Sequence, residues 1–212
     1  MRSDRSFSAH KNRWLVTLGA LAVVAALPGS VSAAPTQLAG TYTATTANMT
    51  PAGVDLRMQI IQWQEADARA EVVATLAAGA DAATPLGKLP TVGYVWPKGS
   101  PVGYSLKYAH RAPQPDGSER ITLVTDRRLG SYDFKGWSVA NDAASSAAAP
   151  SAAAPSDVPY SVIELVIDGS GAGTGTFSLA GEASLDEEAG TVALSTDSPS
   201  LLTNVQRVNA AH

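Results

Sequence analysis

In Val54-Asp55-Leu56-Arg57-Met58-Gln59-Ile60 every second residue is apolar and every residue between is polar or charged. Successive side chains of an extended chain point to opposite faces, so this pattern specifies a strand with one face buried and one in water. Such half-buried strands belong to antiparallel sheets. Upstream, Gly40 to Ala47 is threonine-rich with a single aromatic and reads as the preceding strand. Asn48 to Gly53, with Pro51 and Gly53, supplies the turn between them.

Downstream the period changes. In Gln64 to Ala78 the residues Ala68, Val72, Val73 and Leu76 make an apolar stripe at helical spacing, and Gly79 suits the position just past a helix end. Thr84-Pro85 opens a further short turn as far as Leu89. Strands then resume: Thr91 to Trp96, Val102 to Arg111, Arg120 to Thr125, and Tyr132 to Val139 anchored by Phe134 and Trp137. In the second of these, Tyr104, Leu106, Tyr108 and His110 fall on one face by simple alternation.

Asp142 to Asp157 is an Ala/Pro/Ser stretch whose small side chains bury too little area to offset chain entropy, so residues 142–157 read as a mobile surface loop. Beyond it, Tyr160 to Asp168 is the most apolar strand and Gly169 to Gly175 a turn. Thr176 to Ala180 follows, then a hairpin of Ala183–Asp186 with Thr191–Ser195, and Leu201 to Val208 ends the count at about nine or ten strands. The fold class expected is mostly β (α+β): an antiparallel β-sandwich or partly closed barrel, with one helix covering an edge or open end.

The N-terminus reads as an export signal. Arg2, Arg5, Lys11 and Arg13 face only Asp4, and Trp14 to Leu27 is uncharged. Fourteen residues of helix reach roughly 21 Å, short of a hydrocarbon core of about 30 Å. Val31-Ser32-Ala33 offers the small residues of a cleavage site, so 1–33 is assigned as signal peptide and 34–212 as a single β-rich domain. The rival reading is an uncleaved membrane-anchoring helix. Of the chain's 15 basic and 19 acidic groups the signal holds four and one, leaving 11 against 18. That sign disfavours nucleic acid and anionic lipid. The chain has no cysteine, which excludes disulfides, thiolate nucleophiles and thiolate metal sites.

Several short stretches resemble exported bacterial β-rich proteins that have no assigned function. They are Ile60-Ile61-Gln62-Trp63 ahead of an acidic helix start, Arg120-Ile-Thr-Leu-Val-Thr-Asp-Arg127, Ile163-Glu-Leu-Val-Ile-Asp168 with Gly171-Ala-Gly-Thr-Gly175, and Leu202-Thr-Asn-Val205. The resemblance implies export and a β-rich fold, and it brings no catalytic or ligand residues with it.

Sites of known chemistry are scarce. Gly169 to Gly175 lacks the glycine spacing of a dinucleotide loop and the lysine of a P-loop, and lies between strands rather than before a helix. Asp168 alone is too few carboxylates for a calcium loop, and Asp186-Glu187-Glu188 is a solvated turn. Away from the termini, His110 is the one imidazole, and no nucleophile elbow accompanies it. Glu164, Asp168, Asp126 and Asp133 leave a carboxylate-based hydrolase open. Tyr94, Trp96, Tyr104, Tyr108 and His110 lie on adjacent strands, with Trp137 further on. They form either packing mass or the wall of a site for a sugar or an apolar ligand.

The function expected is that of an exported, non-catalytic protein, periplasmic or extracellular, that binds a small ligand or an envelope partner. No cofactor or metal is implied, and no membrane span survives processing. The alternatives are the hydrolase and a structural or assembly protein acting through an exposed sheet edge. An enclosed pocket walled by Tyr94, Trp96 or Tyr108 would mark a carrier, and a filled interior would remove that idea.

Overall fold

The computed structural model describes residues 38–133, 136–139, 158–179, 181–196 and 199–208. The expected signal peptide (1–33), the loop at 142–157 and Phe134 lie outside the described residues. In chain order the elements are β1 (Gly40–Ala47), β2 (Met49–Thr50), β3 (Asp55–Ile60), α1 (Ala66–Leu76), a 3₁₀ turn (Gly79–Ala82) and α2 (Ala83–Lys88). They continue with β4 (Gly93–Pro97), β5 (Tyr104–Pro113), β6 (Glu119–Thr125), β7 (Ser138–Val139), β8 (Val162–Ile167) and β9 (Ala172–Ser178). The last are β10 (Ala183–Asp186), β11 (Thr191–Leu194) and β12 (Ser200–Arg207).

The alternation at Val54–Ile60 delivers what it specifies: Leu56, Met58 and Ile60 are buried, while Asp55 and Arg57 are exposed. The sheet closes on itself. Eight antiparallel strands run β1-β3-β4-β5-β6-β8-β9-β12 and back to β1, so each barrel strand pairs with its neighbours in sequence. The closing seam joins the first strand to the last, from Tyr42↔Arg207 to Ala47↔Leu201. An irregularity at Thr203–Asn204 bends β12 into the seam, with Asn204 at φ 51°. The barrel branch of the expected fold therefore holds, with full closure and, among the described residues, two α-helices in place of one.

Inward side chains fill the axis, as eight strands require, and this removes the expectation of an enclosed carrier pocket. Tyr42, Met58, Ile60, Leu106, Ile121, Leu123, Ile163, Leu165, Phe177 and Val205 belong to one continuous buried cluster. Gly173 lets β9 press against β8, because a Cβ there would collide with the carbonyl of Val166. The expected turn at 169–175 is accordingly shorter: Gly171 ends it at φ 88°, and Ala172 to Gly175 already belong to β9.

Alternation fails in β5, where Leu106 and Tyr108 face Thr125 and Val124, leaving Lys107 as the extra residue of a bulge. Tyr104 and Leu106 thus join the barrel interior, whereas Tyr108 joins a second cluster outside the wall. The single shared face expected for Tyr104, Leu106, Tyr108 and His110 is split in two. Gln64 repairs the ladder at the bulge. Its amide nitrogen donates to the Lys107 carbonyl (3.1 Å), and its oxygen accepts from the Ala109 N–H (2.9 Å).

The second cluster explains where the helices sit. Val72, Val73 and Leu76 of α1 and Leu86 of α2 pack on Tyr108, Val124 and Val162, together with Val192 of the β10–β11 hairpin. They cover the outer wall of β5, β6 and β8, not an edge or an open end, which is why these strands are apolar on both faces. Of Tyr132 to Val139, expected as a strand, the described residues are extended only at Ser138–Val139, paired with Met49–Thr50.

Candidate functional site

The five aromatic and imidazole residues singled out above occupy three places. Tyr108 and His110 lie outside β5, their rings 6.3 Å apart and edge-on. Tyr108 is fully buried and donates from its hydroxyl to the Gly190 carbonyl (3.2 Å), which also accepts from Arg69 Nε (3.3 Å). This pair fastens the hairpin to the wall. Burial lowers the His110 pKa, and the Arg69 charge lowers it further. Tyr94 and Trp96 lie side by side on the outer face of β4, ring centroids 5.1 Å apart. Tyr104 alone reaches the end of the barrel.

That end carries a cleft of about 340 Å³, within the size range of small-molecule sites. It is lined by Val54 before β3, by Pro97 at the end of β4, by Lys98 and Pro101 of the β4–β5 connection, and by Tyr104, Tyr132, Asp133 and Trp137. Tyr104 is 1% exposed; its ring stacks on Tyr132 at 4.9 Å, and its hydroxyl accepts from the Tyr132 N–H at 3.2 Å. Tyr132 is 43% exposed, with the Arg127 guanidinium 5.0 Å from its ring centre. Buried Trp137 donates from Nε1 to Asp133 (3.3 Å). The site therefore offers an anchored aromatic floor with one ring open to water. Tyr132 escaped the sequence reading because no spacing links it to β5; only the stack does.

The opposite end is closed by charge. Glu119 pairs with Arg207 and lies 3.8 Å from Arg111. The two guanidiniums also sit over the rings of Tyr42 (5.8 Å) and Trp63 (5.2 Å).

The four carboxylates kept open for hydrolysis each have a structural partner. Glu164 accepts from the Leu194 N–H (2.7 Å), and Asp168 from Ser170 and Ala172 within its own turn. Asp126 pairs with Arg127 (3.3 Å), and Asp133 holds Trp137. Among the described residues no group of three or more His, Asp and Glu gathers to hold a metal. Barrel closure leaves the main sheet without an edge strand, so among the described residues strand addition has only the short β2–β7 and β10–β11 pairs to work on.

No helix among the described residues is long and apolar enough to cross a membrane. The outer faces of β1 and β3 carry Thr41, Thr43, Thr45, Asp55, Arg57 and Gln59. No protein-family model matches the chain, and no curated protein and no solved structure matches it.

Proposed function

We propose that this chain is an exported, non-catalytic binding protein that holds a small, partly apolar ligand in the cleft at the Tyr104 end of the barrel. The stack of Tyr132 on Tyr104 inside that cleft carries the reading: one ring is locked by the core, and the other presents an aromatic surface to solvent. Because the barrel axis is packed, the ligand sits at the mouth and not within. The acidic balance of the exported part supports a partner that is neither nucleic acid nor an anionic lipid surface. The basic, then apolar, then small-residue order of residues 1–33 supports delivery to the periplasm or beyond through the general secretory route.

Two measurements test this. Protein expressed with its own N-terminus should be recovered outside the cytoplasm beginning at Ala34; recovery inside with Met1 intact would refute the export half. Titration with N-phenylnaphthylamine should change tryptophan fluorescence through Trp137, with Tyr132→Ala weakening binding at least tenfold. Equal binding by the variant would overturn the placement of the site.

A further inference from the structure

The helices and hairpin cover the wall of β5, β6 and β8, whereas among the described residues neither helix nor the β10–β11 hairpin belongs to a cluster over the wall of β1, β3 and β4. There a strand needs only small polar residues, as β1 has with Thr41, Thr43 and Thr45. β4 instead places Tyr94 and Trp96 on this face, half-buried and tilted 39° to one another. The indole is fixed from below by Gly103, where an added Cβ would lie 2.6 Å from both Nε1 and Cε2. Only glycine lets the ring lie that close to the backbone.

Across the β3–β4 ladder Arg57 stands opposite Trp96, and Gln59 opposite Tyr94. With the Gln59 amide turned to accept, its oxygen takes hydrogen bonds from Arg57 Nη2 (2.7 Å) and Nε (3.3 Å), holding the guanidinium in place. From Arg57 an open groove of about 390 Å³ runs over β3 to β1, past Asp55, Thr43 and Thr45.

Planar aromatic faces beside planar donors and acceptors suit one chemistry well. A pyranose ring stacks its C–H face on an aromatic ring and satisfies its hydroxyls with guanidinium, amide, carboxylate and threonine groups. A protein partner would call for a ring of aliphatic side chains around the aromatics, and here the neighbours are mainly Thr, Arg, Gln, Asp and Lys98, with exposed Val102 beside Gly103. We infer that the outer face of β1, β3 and β4, with Tyr94 and Trp96 as its stacking platform and Arg57 beside them, binds a neutral glycan chain. The groove meets the mouth cleft at Lys98, which lines both, but Tyr94, Trp96 and Arg57 lie outside the cleft and the inference does not rest on it.

The test is affinity electrophoresis through gels holding xylan, β-glucan, glucomannan or starch, backed by calorimetry with chito- and cello-oligosaccharides. Retardation by at least one glycan is expected. Trp96→Ala and Tyr94→Ala should each weaken it tenfold or more, while Tyr132→Ala leaves it unchanged. Thermal melts check each fold; should Trp96→Ala unfold, Trp96→Phe and Arg57→Ala replace it. Lack of retardation by every one of these glycans would overturn the inference. So would binding indifferent to Tyr94 and Trp96, or binding lost only with Tyr132→Ala. A Trp96 substitution that changes sedimentation, with no glycan bound by the parent chain, would reassign the face to protein contact and overturn it equally.

Discussion

Lys107 Nζ donates a 2.7 Å hydrogen bond to the carbonyl of Leu89, so the extra residue of the β5 bulge also ties down the segment that follows α2. The same ammonium reaches the Gly87 carbonyl (3.3 Å) and Thr91 Oγ1 (3.1 Å) in a residue only 4% exposed. A helix ends with carbonyls that lack intrahelical partners, and here a lysine from the barrel wall supplies them. Burial lowers the Lys107 pKa.

Removing this contact should loosen the helices from the wall. Lys107→Met keeps most of the stem but strands the carbonyls, for a loss of about 1–3 kcal/mol in urea unfolding. Lys107→Ala should lose more, because it also leaves a void. Equal stability of both variants and parent would show that water serves the carbonyls as well.

Acid should weaken the α1–hairpin layer through His110. Its folded pKa lies below the ordinary value near 6.5, so the unfolded chain binds the proton more readily. That contribution is present above about pH 6.5 and is lost as pH falls through the lowered folded value. The urea midpoint of His110→Gln should therefore decline less than the parent's between about pH 7 and about pH 5. Parallel declines would remove His110 as the cause.

Alkali acts through buried phenols. Burial raises the pKa of Tyr42, Tyr108 and Tyr160. Their contribution is full below the ordinary value near 10 and disappears as pH climbs through the raised folded values. Lys107 acts in the opposite sense, since its lowered pKa makes stability rise with pH in the same region. Spectrophotometric titration should show the absorbance change of these three phenols appearing late and together with unfolding. Early, fully reversible ionisation of all the tyrosines in folded protein would contradict this.

Gly173→Ala and Gly169→Ala form a matched pair. The first drives a Cβ into the Val166 carbonyl, while the second meets nothing within 4 Å. The expected losses are on the order of 3 kcal/mol or more against roughly 0.5 kcal/mol or less, read from thermal or urea unfolding.

Glu164→Ala should release the β10–β11 hairpin by removing the acceptor of the Leu194 N–H. Amide exchange across Ala183 to Leu194 should quicken, with a stability loss of about 1–2 kcal/mol. Unchanged protection there would mean that Tyr108 and Arg69, through Gly190, hold the hairpin without it.

The amino-acid order by itself established the barrel strands, one helical region and the β10–β11 hairpin, while it read Met49–Thr50, a short strand, as part of a turn. Period-two burial at Leu56, Met58 and Ile60 and helical spacing at Val72, Val73 and Leu76 are local properties of the chain. Tertiary structure decided the rest. Pairing of Tyr42 with Arg207 closes the barrel, and alternation records which face of a strand is buried, never which strand lies beside it. The bulge at Lys107 turned Tyr108 and His110 away from Tyr104, breaking up one expected site, because an inserted residue reverses every side chain beyond it. Contacts between distant segments then assembled the two candidate sites, with Tyr132 against Tyr104 at the mouth and Trp96 over Gly103 on the outer wall.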